Sequence, residues 1–174
     1  MFVIIFIMLT FLFAEEKIFV ACEGNFYQSN GSIWMIEDGE VYSYQDNPLG
    51  EIVQSLYVND DELYVIVNGI GNIQVFDILP DGLESTYFID TEFSGPREMI
   101  VVGNYLYFTN WYSADVKKLN LDTWNIDAEI DMPGLPEDIV YKDGLLYVSI
   151  TMEFDWSDGN EVVAIDPLSD AIVA

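Results

Sequence analysis

The chain has 174 residues, enough for one domain, and is 51% hydrophobic and 15% aromatic, so it can bury a core. Five basic residues against 31 acidic ones leave a formal net charge of −26, and such a surface repels nucleic acid and anionic lipid, which are both held by Lys and Arg. The sequence contains no histidine and one cysteine, Cys22, which excludes His-dependent triads, His-ligated haem, ordinary zinc sites and an internal disulfide from this stretch.

Residues Met1 to Phe13 are almost wholly apolar, and Glu15, Glu16 and Lys17 end the run. Such a run is too short to cross a bilayer as a helix but suits the apolar part of a secretory signal over 1–14, with Ala14 as a cleavage position. No integral membrane span is expected. The reading is a secreted, periplasmic or cell-surface protein; a buried first strand or an uncleaved tether are the alternatives. Cys22 falls within the first strand that follows and reads as a buried core thiol.

From residue 15 onward a three-residue signature returns: Ile18-Phe19-Val20, Leu63-Tyr64-Val65, Leu106-Tyr107-Phe108 and Leu146-Tyr147-Val148. The spacings are 45, 43 and 40 residues, a period that, with strand patterning, belongs to a propeller blade. Ten residues before the later signatures stand Val53-Gln54-Ser55, Pro96-Arg97-Glu98 and Pro136-Glu137-Asp138 in the same frame. Each signature is followed by a polar stretch and another apolar run. The runs are short and rich in Val, Ile, Tyr and Phe, and Asp-Gly, Asn-Gly and Pro-Gly pairs divide them, so no helix is predicted after residue 14.

The predicted fold is therefore all-β: a β-propeller of four-stranded antiparallel blades, at 15–50, 51–94, 95–134 and 135–174. Blade three is the cleanest, with strands at Arg97–Val102, Tyr105–Asn110, Asp115–Leu121 and Asn125–Met132. Blade one starts at its second strand and blade four ends inside its fourth. That makes about three and three-quarter blades, where propellers carry four to eight. The chain reads as the N-terminal part of a longer propeller; a complete four-bladed or open array that self-associates is the alternative.

Leu106-Tyr107-Phe108-Thr109-Asn110 followed by Val116 to Leu121, and Leu135-Pro136-Glu137-Asp138-Ile139-Val140 leading to Leu146-Tyr147-Val148, resemble the repeat of the YVTN-type propellers, which include the YncE-like and lactonase-like proteins. The resemblance covers residues 17 to 174. It implies an exported, cell-envelope protein with seven blades when complete, about three of them beyond those present here. It is specific for fold and says little of function, because the repeat serves structure in every blade.

Propeller topology gathers the loops that enter each innermost strand, and the loops between second and third strands, at one end of the channel. Those loops carry the candidate ligand-binding residues: Arg97, Glu98, Trp111, Tyr112, Glu137, Asp138 and Trp156. Arg97 either orients an anionic ligand or pairs with Glu137 to join two blades. Trp111, Tyr112 and Trp156 either stack on a sugar or other flat ligand or pack on the next blade. The long loop 150–159 and the residue after it supply Asp155, Asp158 and Asn160, a weak candidate for calcium, a hard cation that wants six to eight oxygens; an ordinary solvated loop is the alternative.

Two function classes remain open. One is a non-enzymatic binding or scaffold propeller of the cell envelope, with a small molecule, a glycan or a protein as partner and self-association of the chain as a further expectation. The other is a lactonase-like or quinoprotein-like enzyme whose site lies on the channel face. No catalytic residue is assigned from sequence, and calcium is the one cofactor the sequence raises.

Overall fold

Alternating apolar runs cut by turn residues give antiparallel strands, because each run offers one face to a core and its ends turn back on themselves. The computed structural model describes residues 16–174; the signal segment expected over 1–14 lies outside the described residues. Blade one comprises β1 (Lys17–Cys22), β2 (Ser32–Glu37) and β3 (Glu40–Ser43). Blade two comprises β4 (Val53–Asn59), β5 (Glu62–Val67), β6 (Asn72–Leu79) and β7 (Gly82–Asp90). Blade three comprises β8 (Pro96–Val102), β9 (Tyr105–Asn110), β10 (Asp115–Asn120) and β11 (Ile126–Asp131). Blade four comprises β12 (Leu135–Lys142), β13 (Leu145–Met152), β14 (Asp158–Asp166) and β15 (Ala171–Ile172).

Each sheet is a meander with its strands in sequence order, and all pairs are antiparallel. The described residues contain no α-helix, only a 3-10 turn at Asn68–Ile70, and so no helix long and apolar enough to cross a membrane. This is the all-β propeller architecture the repeats predict. The signature strands are β1, β5, β9 and β13, the first in the three-stranded sheet and the second in each four-stranded one.

Three apolar clusters fill the three junctions between blades. Leu63, Val65 and Val67 pack with Ile33 and Tyr44 of blade one, joined by Phe19 and Ala21. Tyr64 and Ile66, pointing the other way, pack with Leu106 and Phe108 of blade three. Tyr107 in turn packs with Leu146 and Val148 of blade four. In blades two and three the central Tyr of the signature thus faces the following blade, and the residues on either side of it face the preceding one. Strand alternation makes that division. Phe108 is fully buried, and truncating such a side chain to Ala costs about 3–5 kcal/mol.

The same alternation corrects the reading of Cys22. In β1 the inward positions are Phe19 and Ala21, while Ile18, Val20 and Cys22 are exposed. Cys22 stands where Val67 stands in blade two, on the side that faces a preceding blade; among the described residues none packs there. At the other end, Val140 and Val162 of blade four are 51% and 64% exposed.

Candidate functional site

The innermost strands β4, β8 and β12 lie side by side. Each loses its ladder register at the same place: between Val53 and Ser55, between Pro96 and Met99, and between Pro136 and Ile139. A bulge of this kind re-aims side chains that a regular strand would send to opposite faces. It creates two rows across the blades: Gln54, Arg97 and Glu137, then Ser55, Glu98 and Asp138. Hydroxyls from the adjacent strands hold the bulges. Thr109 Oγ1 accepts from the Glu98 amide at 3.1 Å and donates to the Glu137 carbonyl at 2.7 Å. Ser149 Oγ accepts from the Asp138 amide at 3.0 Å.

The first row is stitched together. Arg97 Nη1 donates to Gln54 Oε1 at 2.9 Å, Nη2 to Glu137 Oε1 at 2.8 Å, and Nε to both Glu137 oxygens at 3.2 Å. The guanidinium also lies 4.2 Å from the centre of the Trp111 ring. Of the two roles left open for Arg97, the one observed is the ion pair between blades. Trp111 meets Trp156 edge to face, with ring centres 6.3 Å apart, so the two indoles from blades three and four do come together. Tyr112, next to Trp111 in sequence, is 71% exposed and Trp156 61% exposed. Gly95 (φ +74°) holds the loop beneath Tyr112; a Cβ there would come within 2.9 Å of the Tyr112 ring.

The second row is less satisfied. Burial pushes the Glu98 carboxyl up to about 7, aided by repulsion from Asp138 and then Glu137; the Ser55 hydroxyl and the Arg97 charge pull the other way. Ser55 is 8% exposed, and its Oγ lies beside Glu98 but short of a well-formed hydrogen bond, leaving it buried without a partner. Trp111 Nε1 is also buried without a partner. Asp138 is exposed and caps the amide of Ile139.

The oxygen-rich loop does not converge. Asp155 accepts from the amide and hydroxyl of Ser157, which hold its carboxyl below the ordinary range. Asp158 pairs with Met152 at the start of β14, and Asn160 follows on that strand. Among the described residues no group of three Asp, Glu, Cys or His side chains is placed to hold a metal ion.

Sequence reasoning missed Gln54 and Ser55 as members of the site, although both occupy the repeat frame of Arg97 and Glu98. It also missed Lys118, which is buried and donates to Asp170 Oδ1 at 2.7 Å and to the Pro167 carbonyl at 3.1 Å. Its ammonium also lies 4.5 Å from the centre of the Tyr105 ring.

No protein-family model matches the chain, and no curated protein sequence matches it. Solved structures match in fold. A provisionally named 6-phosphogluconolactonase from Bacteroides uniformis superposes with a TM-score of 0.60 at 15% identity, over 90% of this chain and 52% of that one. The dihydro-heme d1 dehydrogenase NirN superposes with a TM-score of 0.59 at 16% identity, over 82% of this chain and 32% of that one. The WD40 domain of Toxoplasma gondii coronin gives 0.61 at 11% identity, over 83% and 40%.

The chain is a β-propeller by fold. It spans about half the length of these structures or less, and likeness at this identity carries architecture alone. These neighbours include enzymes, so the fold is compatible with both a binding and a catalytic role.

Proposed function

We propose that this chain is part of an exported propeller of the cell envelope that acts as a binding module, with its ligand held where the inner strands begin. The observation that supports this best is the pair of exposed aromatics, Trp156 and Tyr112, set around Trp111 beside the Arg97–Glu137 clamp. Exposed rings on a braced base are suited to stacking on a flat or apolar ligand face. The acidic surface and the signal-like start are in keeping with export, and the repeat's resemblance to YVTN-type propellers adds to that reading. A ligand screen followed by melting temperature tests it. Ligands that raise the melting point of the unaltered protein should fail to do so for Trp156→Ala, and equal responses from both would reject this face. Fractionation of cells carrying the full chain tests the address.

One observation favours a catalytic second reading. A carboxyl held near 7, as Glu98 is, is poised for general acid–base work. Lactone hydrolysis by the unaltered protein, lost in Glu98→Gln, would establish it.

A further inference from the structure

We infer that Glu98, Asp138 and the Ser55 hydroxyl form a seat for an organic ammonium group, with Trp156 and Tyr112 receiving the apolar body of the same ligand. The inference deepens the binding reading above and rests on it.

The charges come first. Glu98, Glu137 and Asp138 bring three carboxyls together around one cation, Arg97, which is committed to Glu137 and Gln54. Among the described residues neither Glu98 nor Asp138 has an ion-pair partner. Excess negative charge in a partly buried place needs a proton or a cation to balance it. The groups facing Glu98 are Asp138 and Glu137 from β12, Arg97 from its own strand and the Ser55 hydroxyl from β4, with Thr109 of β9 on its amide. Without a ligand, burial and the neighbouring carboxyls let Glu98 keep a proton up to about pH 7.

The hydrogen-bond inventory selects the kind of cation. An ammonium carries three N–H donors and no acceptor, and this place offers two carboxylates and the orphaned Ser55 oxygen. The unpartnered Ser55 Oγ is the observation that goes beyond acidity, since a buried hydroxyl oxygen without a partner is costly unless something arrives to use it. A divalent metal fits less well, because the described residues hold no three-ligand group. An anion is disfavoured by the charge count. The stack of Arg97 on Trp111 already shows a cation held between a carboxylate and an indole on this surface.

The test is calorimetric titration with 2-phenylethylamine, its neutral counterpart 2-phenylethanol, calcium chloride and a neutral oligosaccharide. The amine should bind, and the alcohol should bind about ten-fold more weakly or worse, the scale of one charge-assisted hydrogen bond. Affinity for the amine should rise from pH 6 to pH 8 as Glu98 ionises, with protons released to the buffer. Glu98→Gln should weaken binding about ten-fold or more and remove the pH dependence. Asp138→Asn and Ser55→Ala should weaken it as well, while Lys142→Ala, at the far end of β12, should not. Circular dichroism confirms that each variant is folded.

No amine binding, equal binding of the alcohol, tighter binding of calcium, or an unaltered affinity in folded Glu98→Gln would each overturn the assignment. Oligosaccharide binding that Trp156→Ala abolishes and Glu98→Gln leaves intact would overturn it too, yet keep the broader binding reading. Failure of every ligand class would remove both.

Discussion

Arg97 and Glu137, forty residues apart in the chain, clamp blade three to blade four through Nε and Nη2 at 3.2 and 2.8 Å, while the Arg97 plane covers Trp111. Both side chains are mostly shielded, at 19% and 25% exposure. A planar fork that makes two parallel bonds and stacks on an indole is not replaced by an ammonium. Arg97→Ala should therefore cost about 1.5–3 kcal/mol in urea unfolding, and Arg97→Lys should restore only part of it. Full restoration by Lys would mean that charge alone matters here.

The Glu98 carboxyl makes stability depend on pH in a defined direction. Its folded value lies near 7, above the ordinary 4.5, so the folded protein holds a proton more firmly than the unfolded chain. The contribution is fully present below about 4.5 and is lost as pH rises through about 7. The melting temperature should fall from pH 5 to pH 8, and Glu98→Gln should flatten that slope. An unchanged slope in the variant would assign the effect to other carboxyls.

Lys118 bolts blade three to the last turn of blade four. Burial alone would lower its ammonium; hydrogen bonds with Asp170 and Tyr107 and the nearby charges outweigh that and hold it above its ordinary value. The stabilisation is complete below the unfolded value and fades as pH rises through the higher folded one. Lys118→Met keeps the stem and removes the charge, so it should cost about 1.5–3 kcal/mol near neutrality and reduce the loss of stability above pH 10. Chemical denaturation at pH 7 and pH 11 measures both.

Ile18 and Val20 on blade one and Val140 and Val162 on blade four are exposed on blade faces like those that meet inside the stack. Apolar faces of this kind drive association, and the net charge of −26 opposes it. Sedimentation velocity of the chain should show association that grows with salt, as screening weakens the repulsion. Val20→Lys combined with Val162→Lys should reduce it. A monomer at every salt concentration would remove self-association from the expected partners.

The strands and their order were legible because strand signals are local. Leu106-Tyr107-Phe108 alternates within three residues, and Asp143-Gly144 turns within two. The ten-residue step from Pro96 to Leu106 and from Pro136 to Leu146 carried the inner-strand register, so Arg97 and Glu137 could be set in the same blade position. Propeller topology, which gathers the loops between second and third strands at one end, put Trp111 and Trp156 at the same end of the channel. Cys22 was misread because alternation says that two faces differ without saying which one a neighbour covers. Ser55 lay in the repeat frame, but a serine gives no hint of burial until Glu98 is placed beside it.

The architecture follows from local signals alone: a period near forty residues, strand-length apolar runs and turn pairs admit few folds other than stacked four-stranded blades. The charge of the surface and the loops that meet at one end of the inner strands follow from the same residues. How the side chains there are used depends on the packing of the blades. That packing engaged Arg97 with Glu137 and Gln54, buried Lys118 against Pro167 and Asp170, and left Glu98 and Ser55 unbalanced. The reason is one of range. Strand and turn preferences act over a few residues, whereas ion pairing and desolvation depend on side chains that come together from positions forty or more residues apart.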